Sequence, residues 1–237
     1  MTTFKVPKAP AWFGQKLFSI ANDFGLTLEN TQVELMVRHA ELVFYWNRTS
    51  NLTAINSWED MLNFHYLDSL VPSLWLPKYG NALDIGTGAG FPGVPIKIAY
   101  PKLNVTLCDK KRKKANFLKV FLAFASLDSI SIHLGEWQQL ARHRFHGFDL
   151  VMVRALSLSV LDINYIVDNL LSEKGVLAVW AGINPGFSKR LKGLFGKVGL
   201  KSYHIPGLKR RYLVLIGRSG YDEEVWSCSK HKRVGSG

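Results

Sequence analysis

The feature that most constrains this chain is a run of alternate glycines, Gly86, Gly88 and Gly90, in the string "ALDIGTGAGFPG". The apolar residues before the run predict a strand that ends at Ile85. At the end of a strand, alternate glycines allow a tight turn and the close approach of a ligand, because no Cβ atom stands in the way. The string therefore predicts a ligand-binding loop.

The chain around this loop has the pattern of an α/β protein. Short β-type runs alternate with helical stretches: "ALDI", "NVTLCD", "SISIHL", "FDLVMV" and "GVLAVW". Such alternation is typical of a parallel sheet. Near the end, "KSYHIP" and "RRYLVLIGR" flank "GLK" with no helix between them, which predicts an antiparallel hairpin.

A helical segment precedes the first predicted strand. From Trp12 to about Leu76, apolar residues recur at intervals of three and four, most clearly at Val33, Met36, Val37, Ala40, Val43 and Phe44. Asn56 and Ser57 are predicted to cap a further helix, in which Met61, Phe64 and Leu67 share one face and which ends before Pro77. We expect a helical extension packed on the core over residues 1–76, a ligand-binding core over 77–218 and a polar tail over 219–237.

Composition indicates what kind of partner the protein binds and in which compartment it works. A formal charge of +12 and a pI near 9.7 indicate an anionic partner, with nucleic acid favoured over an anionic membrane surface. The two cysteines, Cys108 and Cys228, offer neither a disulfide framework nor metal-ligand spacing, which fits a reducing cytoplasm. The start "MTTFKVPKAP" lacks the apolar core of a signal peptide and no stretch is long enough to span a membrane, so we expect a soluble, cytoplasmic protein without a bound metal.

Two nucleotide-type ligands compete for the glycine loop. From Gly88, "GAGFPG" satisfies G-x-G-x-x-G, which favours a nicotinamide dinucleotide. If the strand ends at Ile85, however, the first glycine is Gly86 and Phe91 stands where the third glycine belongs, while Pro92 has no N–H to offer a pyrophosphate. Asp84 would repel phosphates but can orient the ammonium of an amino-acid moiety. S-adenosylmethionine has such an ammonium and no phosphate.

Further acids follow the next two strands. Asp109 lies 23 residues after Gly86, about where nucleoside-binding folds place a carboxylate on the ribose hydroxyls. The alternative is that Asp109 caps the helix that begins at Lys110. Gly135 and Glu136 follow the third strand and can border an adenine edge, or can form an ordinary turn.

Four ordered motifs resemble one family. These are "NRTSNLTAI" at 47–55, "HYLDSL" at 65–70, "DIGTGAGFPGVPIKI" at 84–98 and "VRAL" at 153–156. Together they resemble the glucose-inhibited division protein B family, Rossmann-like S-adenosylmethionine-dependent methyltransferases of N7 of one guanine in small-subunit (16S) ribosomal RNA. The resemblance covers roughly residues 12 to 217.

The resemblance also implies a set of cofactor residues, namely Gly86, Phe91, Asp109, Gly135, Glu136 and Arg154. From sequence alone, Arg154 is better interpreted as a charge that ends an apolar strand beside a solvated loop. One departure from the family is Ala181, in "VWAGINPG" at 179–186, where the family has a lysine. If that lysine contacts RNA or the reacting base, this chain has altered substrate use or weaker activity.

Guanine N7 has an unprotonated lone pair, so its methylation needs no general base and depends on alignment of the reactants. Asn51, His65 and Asp68 are the candidates for positioning the base, with the Asp68 carboxylate offsetting charge that develops there. His65 and Asp68 share a helix face at i and i+3, and their alternative role is an internal hydrogen-bonded pair that fastens the N-terminal helices to the sheet.

Four basic runs favour phosphate contact with 16S RNA or the small ribosomal subunit. They occupy residues 109–119, 188–197, 208–211 and 230–233. Two other functions stay open: a nicotinamide-dependent oxidoreductase that uses "GAGFPG", and a non-catalytic RNA-binding protein on a methyltransferase scaffold. We expect the protein to act as a monomer.

Overall fold

The computed structural model describes residues 5–143, 147–181 and 198–218. The N-terminal helical part comprises α1 (Ala11–Asp23), α2 (Asn30–Ser50), the single turn α3 (Trp58–Asp60), a π-helix (Met61–Leu67) and α4 (Asp68–Ser73). The helices beside the sheet are α5 (Gly93–Ala99), α6 (Arg112–Ala125), a 3₁₀-helix (Trp137–His143) and α7 (Val160–Asn169). The strands are β1 (Gly80–Ile85), β2 (Leu103–Asp109), β3 (Ile130–Leu134), β4 (Phe148–Arg154), β5 (Leu171–Ala181), β6 (Val198–Tyr203) and β7 (Arg211–Gly217).

The described strands form one sheet in the order β3-β2-β1-β4-β5-β7-β6. Strands β1 to β5 pair in parallel, whereas β7 is antiparallel to both β5 and β6. The predicted mostly parallel sheet with a C-terminal antiparallel hairpin is therefore confirmed. After β1, the chain adds β2 and β3 on one side of β1 and then returns to add β4 on the other side. This reversal of strand order creates a crevice at the carboxyl ends of β1 and β4.

The sheet is covered on both faces, because side chains alternate along each strand. On one face Ala82, Leu150 and Met152 join a core with the N-terminal helices, including Phe13, Met36 and Tyr66. On the other face Leu83, Val151 and Leu177 pack against Ile163 and Ile166 of α7. The helical segment before β1 thus shares one continuous core with the sheet.

The predicted N-terminal helices form, with one local difference. Ser57 caps α3 as expected, since its Oγ accepts a hydrogen bond of 3.0 Å from the Asp60 N–H. The expected shared face of Met61, Phe64 and Leu67 is wrong: Met61 and Leu67 are fully buried, whereas Phe64 is 37% exposed. The reason is the π-helical hydrogen bonding over Met61–Leu67, which replaces the spacing of three and four that an α-helix imposes.

The carboxyl ends of β1 to β5 share one edge of the sheet, which we call the carboxyl edge. The glycine loop, Asp109, Gly135 and Arg154 all follow or end strands at this edge. Because Ala181 pairs with Tyr212, the beginning of β7 lies at the same edge. The residues that connect β6 to β7 therefore join the loops that surround the crevice.

Candidate functional site

The glycine loop turns directly after β1, as the sequence predicts. Gly86, Gly88 and Gly90 have φ angles of 71°, 62° and 95°, in the left-handed region that favours glycine. The N–H groups of Gly86 and Thr87 both donate to the Cys108 carbonyl, over 2.9 and 3.0 Å. These bonds hold the loop over the carboxyl end of β2.

Gly86 and Gly90 differ in what surrounds them. A Cβ atom on Gly86 would meet only Leu156, at 3.7 Å, and Gly86 is the exposed glycine of the loop. A Cβ on Gly90 would instead come within 2.6 Å of Val94 and 3.1 Å of Leu118. Packing against α5 and α6 therefore requires glycine at this position. Gly86 is where a ligand can approach the backbone.

Most N–H groups of the loop are already used inside the protein. Those that donate to protein acceptors belong to Gly86, Thr87, Gly88, Gly90, Phe91 and Gly93. Pro92 has none. A loop that binds pyrophosphate needs free N–H groups aimed at the phosphates. This loop suits a ligand without phosphate at that position.

Asp84 lies beneath the loop. Its Oδ2 accepts hydrogen bonds from the Thr87 hydroxyl over 2.6 Å and from the Gly93 N–H over 2.8 Å. Its Oδ1 is buried and has no hydrogen-bond partner within the described part of the chain. Burial raises the pKa of Asp84 to about 6, against the hydrogen bonds from Thr87 and Gly93, which lower it. Asp84 therefore fixes the loop with one oxygen, while its other oxygen is a buried acceptor.

Asp109 ends β2 and does not cap α6, whose N-cap residue is Lys111 and lacks a side-chain cap. Its Oδ1 accepts from the Lys111 N–H over 2.8 Å, just before α6 begins at Arg112. Its Oδ2 accepts from the Gly88 N–H over 3.0 Å, and Lys114 Nζ is 3.9 Å from the same oxygen. The carboxylate thus joins the end of β2 to the glycine loop, at the place where a ribose is expected.

Gly135 and Glu136 lie next to Asp109, at the end of β3. The Gly135 N–H donates to the Asp109 carbonyl over 3.2 Å. The Glu136 side chain is half exposed and lies 3.3 Å from Lys110 Nζ. The structure brings these two residues to the carboxyl edge beside the glycine loop, where they can border a nucleoside.

Phe91 turns its ring away from the open side of the loop. The ring is 6% exposed and stacks on His65, with centroids 4.3 Å apart and planes 8° from parallel. It also meets Tyr66 edge-on at 5.3 Å. The Phe91 ring therefore fastens the glycine loop to the N-terminal helices. The expected contact with a cofactor would have to come from the Phe91 backbone.

Arg154 ends β4, and its side chain is only 10% exposed. The interpretation of Arg154 as a charge beside a solvated loop is therefore wrong. Its Nη2 donates to His65 Nδ1 over 2.6 Å, and its Nη1 donates to the Ser69 hydroxyl over 3.1 Å. The Asp68 carboxylate lies 3.6 Å from Nη1. Arg154 links the crevice to the helices before the sheet.

His65 is held in one tautomer by these partners. Because Arg154 can only donate, Nδ1 of His65 is the acceptor, and Nε2 carries the proton that it donates to the Thr53 hydroxyl over 2.8 Å. Burial, and then the charge of Arg154, lower the pKa of His65 to about 3. His65 is neutral at physiological pH and both of its ring nitrogens are engaged.

Asp68 is fully buried and bound within the protein. Arg211 donates to both of its oxygens, over 3.0 and 2.8 Å, and the Tyr203 hydroxyl donates to Oδ1 over 2.8 Å. The expectation that the Asp68 carboxylate faces the reacting base is therefore corrected. His65 and Asp68 do not form the expected pair with each other. Each of them contacts Arg154 instead.

Asn51 ends α2 in the left-handed conformation, with φ 46° and ψ 54°, and is exposed. It lies two residues before Thr53, the partner of His65, which brings it to the same side of the N-terminal helices. Sequence reasoning missed Tyr203 and Arg211, because their partner Asp68 is distant along the chain and no motif marks them. It also did not single out Thr53 within the motif at 47–55.

Two expectations fall partly outside the described residues. Ala181 is the last residue of β5, at the carboxyl edge, but the segment 182–197 that follows it is not described. The basic runs at 188–197 and 230–233 are likewise outside the described ranges. Over residues 5–143, 147–181 and 198–218, no cluster of His, Cys, Asp and Glu can hold a metal ion, and no helix is long and apolar enough to cross a membrane.

Comparison with known proteins gives close relatives by sequence. The family model for "rRNA small subunit methyltransferase G" (GidB) matches residues 32–186. "Ribosomal RNA small subunit methyltransferase G 1" of Syntrophobacter fumaroxidans is 36% identical over 208 residues, which cover 84% of this chain and 94% of the relative. The methyltransferase G of Streptococcus gordonii is 36% identical over 216 residues, covering 85% of this chain and 90% of that protein.

Solved structures are similar in fold at much lower identity. A spermidine synthase in complex with the transition-state analogue AdoDATO has a TM-score of 0.54 and 15% identity, covering 71% of this chain and 63% of that chain. A point mutant of MtNAS has a TM-score of 0.51 and 13% identity, covering 88% of this chain and 78% of that chain. By the family match and the full-length relatives together, this chain belongs to the GidB family of rRNA small subunit methyltransferase G proteins.

Proposed function

We propose that this protein transfers a methyl group from S-adenosylmethionine to N7 of a guanine in 16S ribosomal RNA. The observation that carries the proposal is the glycine loop, whose N–H groups are used internally while Gly86 is open and Asp84 Oδ1 is buried without a partner. This arrangement suits a nucleoside with an ammonium group and no phosphate. The membership of the GidB family supports the same cofactor and substrate.

The described residues fit S-adenosylmethionine. The backbone at Gly86 leaves room for close approach, and Asp84 Oδ1 is an acceptor for the ammonium of the methionine moiety. Asp109, with Gly135 and Glu136 beside it, would hold the adenosine part at the ends of β2 and β3. When bound there, S-adenosylmethionine supplies an electrophilic methyl group on sulfur.

The protein's own contribution to the reaction is alignment. Guanine N7 attacks without losing a proton, so a neutral His65 with both ring nitrogens engaged is consistent with a role in positioning rather than in proton transfer. Arg154 holds His65 by Nδ1, and Asp68 together with Ser69 holds Arg154. Asn51 and Thr53 lie at the end of α2 on this side. We assign base positioning to Asn51 and His65, and the orientation of Arg154 to Asp68.

This assignment divides the chain into two tasks. The helical segment over residues 1–76 shapes the side of the crevice that receives the guanine, and the core over 77–218 binds the cofactor. We propose that the protein acts as a monomer. The RNA substrate implies that the protein works on the small ribosomal subunit or its RNA in the cytoplasm.

Calorimetry tests the cofactor part of the proposal. S-adenosylhomocysteine should bind and raise the unfolding temperature, whereas NAD(H) should do neither. Asp109→Ala should weaken that binding by about 1–3 kcal/mol, in the range for loss of a charged hydrogen bond, whereas Glu136→Gln, at a half-exposed side chain, should change it less. Binding of NAD(H) in place of S-adenosylhomocysteine would favour the oxidoreductase instead.

A further inference from the structure

A basic turn between β6 and β7 lies at the carboxyl edge, across the crevice from the start of α6. Tyr203 ends β6 and pairs with Arg211, the first residue of β7, while Tyr212 pairs with Ala181 at the end of β5. The connecting residues, "HIPGLKR" at 204–210, therefore emerge at the same edge as the glycine loop and Arg154.

The turn is anchored firmly at both ends. Ile205 is fully buried and Leu208 is 7% exposed, and the Leu208 N–H donates to the Ile205 carbonyl over 2.9 Å. Tyr203 and Arg211, which flank the turn, both bind the Asp68 carboxylate. Such anchoring reduces the conformational entropy that the turn would lose on binding a partner.

Two cations extend from this anchored turn into solvent. Lys209 and Arg210 are exposed, and neither forms an ion pair with an acidic side chain of the described ranges. Other surface cations do have acidic partners: Arg38 lies 2.8 Å from Glu41, and Lys110 lies 3.3 Å from Glu136. The charge of the turn is therefore available to an external anion.

A second group of cations faces the crevice from the other side. Lys111, Arg112 and Lys113 are exposed at the start of α6, directly after Asp109. The cofactor loop and the crevice between β1 and β4 thus lie between two basic groups, one following β2 and the other preceding β7. An anionic polymer that crosses the crevice can contact both groups.

The π-helix that lies beside the turn has an exposed aromatic side chain. Phe64 is 37% exposed on the π-helix, and the preceding residue, Asn63, has its Nδ2 3.7 Å from the position of a Cβ on Gly207. Exposed cations on the turn suit phosphates, and an exposed aromatic ring on the adjacent helix suits unstacked nucleic-acid bases, which stack on aromatic side chains. This combination favours RNA over an anionic lipid surface as the partner of the turn.

We propose that Lys209 and Arg210 form an RNA-docking arm that binds phosphates flanking the target guanine, with the start of α6 as the opposing contact. The inference rests on the proposed function and specifies how that substrate is held. Phosphate contacts position a nucleic acid without selecting its sequence. The arm therefore contributes to affinity for the subunit and its RNA and leaves cofactor binding unchanged.

The test is the double variant Lys209→Ser/Arg210→Ser, compared with Lys102→Ser/Lys174→Ser. The control removes the same charge from exposed lysines at the opposite edge, since Lys102 precedes β2 and Lys174 lies near the start of β5. The measurements are methyl transfer to unmethylated small subunits over a range of salt concentrations, filter binding of 16S RNA without cofactor, and calorimetry with S-adenosylhomocysteine.

In the arm variant, we expect KM for the subunit to rise about tenfold while kcat and the affinity for S-adenosylhomocysteine stay near wild type. The slope of log KM against log salt concentration should decrease by about one to two, because RNA binding releases fewer counterions when phosphate contacts are lost. The control should retain the wild-type KM and slope. The charge-conserving variant Lys209→Arg/Arg210→Lys should restore most of the affinity for RNA.

Several outcomes would overturn the arm and leave the proposed function intact. One is an unchanged KM and salt slope in an arm variant that unfolds at the wild-type denaturant midpoint. Another is loss of binding to vesicles of anionic lipid with no loss of RNA binding. Failure of the wild-type protein to methylate subunits would instead overturn the proposed function, while the RNA-binding comparison of arm and control variants would still decide the role of the turn.

Discussion

Arg154 at the end of β4 donates from Nη2 to Nδ1 of His65 over 2.6 Å and thereby joins the sheet to the helical segment before it. The same guanidinium donates to Ser69 and lies 3.6 Å from Asp68. His65 in turn stacks on Phe91 of the glycine loop. The hydrogen bond and the ring stack thus connect His65, which is proposed to position the guanine, with β4 and with the loop proposed to bind the cofactor.

His65→Phe tests whether this bond serves the reaction. Phenylalanine keeps the stack on Phe91 and removes the acceptor of Arg154, so we expect methyl transfer per folded molecule to fall at least about tenfold through misalignment. The affinity for S-adenosylhomocysteine should stay near wild type. The free energy of unfolding should fall by about 1–3 kcal/mol, for the N–H left unpaired.

Single-turnover methylation and a denaturant midpoint, measured on the same preparations, separate the two effects. Thr53→Val is a suitable control, because it removes the bond at Nε2 and leaves Nδ1 and Arg154 in place. Normal turnover per folded molecule in His65→Phe, with a large shift of the midpoint, would show that His65 is only a structural contact.

Asp68→Asn should act mainly on stability. The change leaves Arg211 and Arg154 without their buried counter-charge, and breaking a buried ion pair in this way typically costs about 3–5 kcal/mol. A denaturant midpoint measures the loss, and Glu41→Gln is a control at another ion-paired carboxylate, whose partners Lys8 and Arg38 are well exposed. A wild-type midpoint combined with lost methyl transfer would restore the direct role for Asp68 that the buried contacts argue against.

Gly86→Ala and Gly90→Ala should have opposite consequences. Both glycines have positive φ, so backbone strain of about 1–3 kcal/mol is common to the two variants. At Gly86 the added Cβ meets only Leu156 and extends into the ligand's side of the loop, so binding of S-adenosylmethionine should be lost while the protein stays folded. At Gly90 it collides with Val94, so the larger loss should be in stability. Equal calorimetric affinity in Gly86→Ala and wild type would refute the assigned loop.

Buried His39 makes stability depend on pH. His39 lies on the buried face of α2 toward the glycine loop, with Nε2 2.8 Å from the Ala89 carbonyl and Nδ1 2.9 Å from the Tyr66 hydroxyl. Burial lowers its pKa from 6.5 to about 3. Because the unfolded chain binds a proton between these values and the folded protein does not, the contribution of neutral His39 to stability is present above pH 6.5 and is lost as the pH falls toward 3.

Unfolding by denaturant at a series of pH values checks this dependence. His39→Gln removes the titration and keeps a polar side chain, so its free energy of unfolding should fall less steeply between pH 6.5 and 3 than that of the wild type. His65, whose pKa is also lowered to about 3, adds to the loss in both proteins. Parallel pH profiles for the two proteins would contradict the assignment to His39.

Much of the fold is predictable because its signals are local. The strand runs, the hairpin, the cap at Ser57 and the turn after Ile85 each depend on neighbouring residues, and all are present in the structure. The roles of individual site residues depend on distant partners. Arg211 lies 143 positions from Asp68, and Arg154 lies 89 positions from His65, so no spacing rule connects them.

The same distinction separates the carboxylates at strand ends from Asp68. Asp84 and Asp109 are predicted from their positions near the ends of β1 and β2, and the structure places both there. Which oxygen contacts which donor depends on how the loop folds back over β2, through bonds to Thr87, Gly88 and Gly93. Asp68 lies in a helix, and nothing in the sequence around it indicates that it is buried. Its burial depends on the β6–β7 hairpin, whose Tyr203 and Arg211 bind its carboxylate.

The most direct test of the account is to locate the methyl group that this protein adds. Small ribosomal subunits from cells that lack the protein are incubated with purified protein and radiolabelled S-adenosylmethionine, and the labelled nucleotide is identified after digestion of the 16S RNA. The account predicts label in 7-methylguanine at a single position, and no label with Gly86→Ala. Label at another base or another atom of guanine, or no transfer by a protein that binds both S-adenosylhomocysteine and subunits, would contradict it.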